Sequence, residues 1–172
     1  LHGSSAASDV YKRQGSDSSI TSNITRVIIR RNMKCLLNQS AQYELCYGNT
    51  FKKNAGGFNI KSTGFTLANQ PGTLYFTDVP NETGDMGVLS VVRESSESNE
   101  FTVVVKSAGT IDYKKGEIIV NTLTITSTVA ANGIIEIQAF PDSNDVIGLK
   151  DLYLSFSVAD STINMIKDTI SS

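Results

Sequence analysis

The sequence predicts a mainly β domain, an antiparallel sandwich or barrel-like sheet preceded by one helix. Three observations lead to this fold class. After residue 41 apolar residues alternate with polar ones, which is typical of strands buried on one face. Glycine, proline and asparagine separate the alternating runs, as expected of turns. One earlier segment, residues 21–38, has helical spacing instead.

The first 14 residues of the chain differ in origin from the rest, according to their sequence. Residues 4–14 read SSAASDVYKRQ, which resembles the in-frame translation of a transposase-type sequencing adapter. This resemblance implies that residues 1–14 are an artefact, so we expect them to be disordered and exclude them from fold reasoning. His2, the only histidine of the chain, lies within this part.

A serine-rich linker and a helix are predicted for residues 15–40. Thr21 or Ser22 could cap a helix over residues 21–38, although a strand at residues 26–29 remains an alternative. In the helix Ile29, Met33 and Leu36 would share one apolar face, opposite to a second apolar face around residue 27. A helix that is apolar on two sides is contacted on two sides, so we expect the first face to be exposed to a partner.

A basic stripe would run along the same helix at residues 26, 30 and 34. Such a stripe is usually a solvated face, and the alternative is a contact to an acidic partner subunit. Together with the apolar face, it places the predicted subunit interface at Ile29, Arg30, Met33 and Leu36.

The antiparallel β domain is predicted for residues 41–172, with about eight to ten short strands. Hairpin turns are expected at residues 114–116, where Gly116 suits a left-handed position, and at Asn132–Gly133, a type I′ signal. The alternation predicts that the following side chains are buried: Tyr43, Leu45, Phe76, Val103, Ile137, Leu154 and Phe156.

Residue types that carry catalysis are scarce once His2 is excluded. Without histidine, the nucleophilic triads, histidine bases and histidine metal ligands are excluded together. Two carboxylate pairs remain, Asp112 with Glu117 and Asp142 with Asp145, and both occur where turns favour acidic residues. Cys35 and Cys46 are expected to be free thiols, largely buried, and a disulfide bridge between them is the alternative. We therefore predict no enzyme activity, no catalytic residues, no metal site and no cofactor.

Charge and hydropathy restrict the partners. The formal net charge is −2, which gives no electrostatic reason to expect nucleic acid or an anionic membrane as partner. No run of about 18 apolar residues occurs in the sequence. We predict a scaffold or binding module without nucleic acid, membrane or small-molecule substrate.

Four motifs resemble, in this order, the C-terminal region of the baseplate wedge protein of T-even-like phages with contractile tails, above all the marine and cyanophage versions. They are STGFTL at residues 62–67, LYFTDVP at 74–80, GTIDYKKGEIIVNTLTIT at 109–126 and PDSNDVIGLKDLYLSF at 141–156. Residues 26–54 fit the segment that precedes these motifs in the family.

The resemblance implies a structural role in the virion. Members of this family form dimers that link into a ring around the tail hub, together with other wedge subunits. The expected partners are therefore further copies of this chain and other baseplate subunits, and the expected location is the tail baseplate. The alternative from the residues alone is an adhesin-type β domain that binds carbohydrate, because small β sandwiches often do so. That alternative predicts exposed aromatic side chains clustered in loops.

Overall fold

The alternating runs pair with one another as antiparallel strands in a computed structural model, which describes residues 27–95 and 100–143. Nine strands and one turn of 3₁₀ helix at Ala131–Gly133 lie within these ranges. The strands are β1 (Ile29–Lys34), β2 (Ser40–Cys46), β3 (Ile60–Ser62), β4 (Phe65–Leu67), β5 (Gln70–Pro80), β6 (Met86–Glu94), β7 (Phe101–Asp112), β8 (Glu117–Thr128) and β9 (Ile134–Ala139).

Five of these strands form a closed antiparallel barrel. The order is β5, β4, β8, β7 and β6, and β6 returns to pair with β5 from Leu74 opposite Arg93 to Pro80 opposite Gly87. Strands β3, β9 and β1 extend the sheet from β5, and β2 adds to β8. The predicted class, mainly β and barrel-like, is thereby confirmed. Closure gives each of these five strands two neighbours within the ring.

The barrel interior is filled by inward-facing apolar side chains. Phe65 and Phe76 stack with ring centroids 4.4 Å apart and are almost fully buried. Of the predicted core residues, Leu45, Phe76 and Ile137 are buried and Tyr43 is partly buried. Residues 154 and 156 lie outside the described part of the chain, as do residues 1–14.

Val103 contradicts the core prediction, because 48% of its surface is exposed. The pairing of β6 with β7 changes register between Val91 and Val92, which face Val105 and Val103 respectively. A bulge of this kind places an extra residue in one strand, so the alternation does not continue unbroken through it. Phe101, which shares the parity of Val103, is likewise exposed.

The predicted helix is wrong over its described part, residues 27–38. Residues 29–34 form β1, which pairs with β9 from Ile29 opposite Ala139 to Lys34 opposite Ile134. A four-residue spacing places Ile29 and Met33 on one side of a strand as well as on one side of a helix. The β-branched run before residue 30 and an apolar partner strand favour the extended form.

The two predicted hairpin turns have different outcomes. Residues 113–116 join β7 to β8, and Gly116 has φ +68°. A side chain at Gly116 would collide with the carbonyl of Asn49, so glycine is required there. Asn132 and Gly133 both have positive φ, as predicted. However, they connect β8 to β9, and these strands do not pair with each other within the described residues, so the predicted hairpin is wrong.

Both cysteines are free, as predicted, but only Cys35 is buried. Burial also raises the pKa of the Cys35 thiol to about 11, and a buried protonated thiol reacts slowly. We expect a thiol reagent to modify one cysteine, Cys46, in the native protein and both in denaturant. Thiol counting by mass spectrometry measures this, with Cys46→Ser as the control that should leave no rapidly modified site. Rapid labelling of native Cys46→Ser would contradict the burial of Cys35.

Candidate functional site

A groove of about 530 Å³ lies on the outside of the barrel wall. This volume falls within the range of about 300–1,000 Å³ that small-molecule sites occupy. Aromatic, hydroxyl and charged residues line it together: Phe58, Lys61, Ser62, Tyr75, Phe76, Thr77, Val92, Glu94 and Phe101. We call this feature the aromatic groove.

Strand pairing brings most of these residues together. Tyr75 on β5 lies opposite Val92 on β6, and Glu94 on β6 lies opposite Phe101 on β7. Because side chains directly opposite in antiparallel strands share a face, these residues share the outer surface of the wall. Lys61 on β3 lies opposite Thr77 on β5 and adds a cation beside them. The groove therefore spans four strands, β3, β5, β6 and β7.

Two exposed aromatic rings form one wall of the groove. Phe58 and Phe101 are each 45% exposed, with ring centroids 5.7 Å apart and planes inclined by 39°. Phe101 alternates in the sequence with Val103, and this pattern favours a core position, but the exposure of the ring contradicts it. The adhesin alternative predicts exposed aromatic residues clustered in loops; Phe58 lies in a loop, whereas Phe101 is the first residue of β7.

Phe58 is held in an unfavourable backbone conformation. Its φ is +60°, and Gly57 before it has φ +72°. The left-handed region costs a residue with a Cβ about 1–2 kcal/mol. The Phe58 N–H donates to the carbonyl of Asp78 at 3.4 Å, and a Cβ at Gly57 would collide with that same carbonyl. The close approach to β5 thus fixes the turn that carries the ring.

Thr77 contributes a buried hydroxyl to the groove. Only 4% of Thr77 is exposed, and its Oγ1 has no hydrogen-bond partner in the described part of the chain. Buried polar atoms are almost always partnered, so each exception needs a reason. The Thr77 Oγ1 atom is therefore an unexplained polar atom in a residue that lines the groove.

A buried carboxylate, that of Asp78 on β5, links this region to β3 and to the β7–β8 turn, and the sequence pattern did not single it out. Asp78 is fully buried; its Oδ1 accepts the Ile60 N–H at 2.7 Å and its Oδ2 accepts the Tyr113 hydroxyl at 2.7 Å. Burial, the hydrogen bond to Asp78 and its charge all raise the pKa of Tyr113. The sequence did contain a signal for the burial of Asp78. Leu74, Phe76 and Asp78 are spaced two residues apart, so they share one face of β5, and the first two are apolar.

The candidate carboxylate pairs do not form a catalytic site in the described structure. Asp112 and Glu117 face each other across the β7–β8 turn, and Lys115 Nζ lies 3.9 Å from one and 3.8 Å from the other. Asp112 Oδ1 also accepts the Lys115 N–H at 2.9 Å, a turn-stabilising bond. Asp142 is described, whereas residue 145 is not. No cluster of three or more metal-ligating side chains occurs in residues 27–95 and 100–143.

The four predicted interface residues are divided between the core and the surface. Ile29 and Met33 are buried, with 9% and 4% exposed, so their predicted exposure is wrong. Arg30 is exposed and lies 3.5 Å from Glu136 on β9. Leu36 is 53% exposed, as predicted. The remaining candidate contact residues on this surface are therefore Arg30 and Leu36.

None of the helical residues in the described ranges forms a segment that could cross a bilayer. Comparisons of the chain with protein-family models, with curated proteins and with solved structures found no match.

Proposed function

We propose that this chain is a structural fragment of the baseplate wedge of a T-even-like phage, acting by self-association and ring assembly in the virion. The observation that carries the proposal is the occurrence of four wedge-like motifs in the family order, at residues 62–67, 74–80, 109–126 and 141–156. The role is architectural, and the partners are further copies of the chain and other wedge subunits.

The positions of the motifs in the fold support this reading. The first three occupy β3 and β4, β5, and the β7–β8 hairpin, so they contribute to the closed barrel and its extension. Asp78 of the second motif accepts a hydrogen bond from Tyr113 of the third. Two separate pieces of the resemblance thus meet in one buried contact. Residues that build a barrel framework are those that a structural family would be expected to share.

Two features of the surface suit assembly. Strands β1 and β2 each pair with one neighbour within the described residues, and a strand with an unpaired edge can accept a strand from another subunit. Leu36 and Leu37, in the turn between these strands, are 53% and 37% exposed. Exposed apolar side chains beside an open edge are typical of subunit contacts.

A charge placed at Leu36 is expected to weaken self-association. Leu36→Asp should raise the dissociation constant of the oligomer at least about tenfold, because burying a carboxylate without a partner is costly. Sedimentation velocity across micromolar concentrations measures this. Val129→Asp is the matched control, because Val129 is also an exposed apolar residue, with 73% exposure.

Two results would count against the proposal. One is that the unaltered chain remains a monomer at all concentrations and binds no co-expressed wedge subunit. The other is that Leu36→Asp and Val129→Asp have equal effects, which would place the contact away from the β1–β2 turn.

A further inference from the structure

The aromatic groove has the composition of a ligand site, and assembly does not account for it. Its rings at Phe58 and Phe101 form an apolar platform open to solvent. Aromatic platforms bind ligands that present a flat apolar face. The hydroxyl and charged groups in the same groove indicate that the ligand is also rich in polar atoms.

The strain at Phe58 points to a function for its ring. A residue with φ +60° would be more stable as glycine or asparagine, and the Phe58 ring is too exposed to be explained by core packing. Strained residues that persist tend to occur at binding and catalytic sites. The strain therefore favours a role for the ring in binding.

Thr77 supplies an independent indication. Thr77 lines the groove, and its Oγ1 is almost completely buried and has no partner among the described residues. A hydroxyl both donates and accepts hydrogen bonds. A donor or acceptor that reaches this hydroxyl from the groove would complete its hydrogen bonding.

The charges of the groove restrict the ligand further. Lys61 and Glu94 carry opposite charges and are the charged residues of its lining. Their charges cancel, so the groove has no electrostatic preference for an anion such as a phosphate group. An ammonium donates hydrogen bonds and a carboxylate accepts them, which suits a ligand with many neutral hydroxyl groups.

We infer that the aromatic groove binds a neutral saccharide. One sugar ring packs its C–H face on Phe58 and Phe101. Its hydroxyl groups bind Thr77 Oγ1, Lys61 and Glu94. This inference goes beyond the assembly role, and the two can fail separately, because the groove residues are not those of the β1–β2 turn.

The test uses the whole chain and a defined set of saccharides. A glycan array with neutral and sialylated members selects candidates, and saturation-transfer NMR titrations with neutral glucose, galactose and N-acetylglucosamine oligomers measure affinity. We expect at least one neutral oligomer to bind with a micromolar to millimolar dissociation constant.

Three variants locate the binding. Phe101→Ala and Thr77→Val should each weaken saccharide binding at least about tenfold. Thr77→Val has nearly the same shape and removes an unpartnered hydroxyl, so its melting temperature should equal or exceed that of the unaltered chain. Val103→Ala is the control, because Val103 is exposed on the same strand as Phe101 but does not line the groove. It should leave binding unchanged.

The inference is overturned if no neutral oligomer binds at millimolar concentration, or if only sialylated members bind. It is also overturned if both Phe101→Ala and Thr77→Val retain full affinity. If no sugar binds and Phe101→Ala loses self-association, the groove is instead a contact between protein subunits.

Discussion

Replacement of Asp78 by alanine is expected to lower the free energy of unfolding by about 3–5 kcal/mol. The Asp78 carboxylate is fully buried and accepts hydrogen bonds from the Ile60 N–H and the Tyr113 hydroxyl. Each bond to a charged acceptor contributes about 1.5–3 kcal/mol. The substitution would also leave both donors buried without a partner, which adds to the loss.

Urea denaturation followed by far-ultraviolet circular dichroism measures this change. Glu82→Ala is a suitable control, since Glu82 lies exposed in the β5–β6 connection and should change stability by less than about 0.5 kcal/mol. Tyr113→Phe removes one of the two bonds and should cost about 1.5–3 kcal/mol. In the double variant the two losses should not add, because the residues share a bond. A loss below about 1 kcal/mol for Asp78→Ala would contradict the buried network.

Phe76→Ala is the second change with a large expected effect, a loss of about 3–5 kcal/mol in the free energy of unfolding. Phe76 has 1% of its surface exposed and stacks on Phe65 at 4.4 Å in the barrel interior. Truncation removes the buried ring and leaves a cavity that a closed barrel can refill only partly.

The matched comparison is Phe101→Ala, which removes the same ring from the outer wall. Because Phe101 is 45% exposed, its loss should cost about 1 kcal/mol, mainly the contact with Phe58. Denaturation of both variants under the same conditions gives the difference directly. Equal losses for the two variants would mean that the assignment of inner and outer faces of the barrel is wrong.

The sequence alone was sufficient for the features that depend on neighbouring residues. Period-two alternation predicted strands after residue 41, and residues 114–116 were recognised as a turn because glycine is suited to positive φ. The carboxylates at Asp112 and Glu117 were correctly expected to serve that turn. Two free thiols were also expected. The inferences about strands and turns use information from within a few positions of the residue concerned, and the one about thiols uses the cysteine count.

The candidate site could not be derived in this way. Phe58 lies in a loop, and it meets Phe101 only because β3, β5, β6 and β7 are neighbours in the sheet. The exposure of Phe101 follows from the register change between β6 and β7, which sequence alternation does not reveal. Asp78 alternates with buried residues of β5, so its burial could be expected. Its hydrogen bond, however, comes from Tyr113, 35 positions away.

The error at residues 29–34 has the same origin. The four-residue spacing of Ile29 and Met33 is compatible with a helix and with a strand, so the pattern has two solutions. The choice is made by β9, which lies 100 to 110 positions later and pairs with β1 along its length. Local propensity is weaker than the packing and hydrogen bonding that a partner strand supplies. Elements that obtain their stability from distant partners are therefore determined by the folded chain as a whole, and so is the barrel contact of β4 with β8, in which Phe65 lies opposite Thr128.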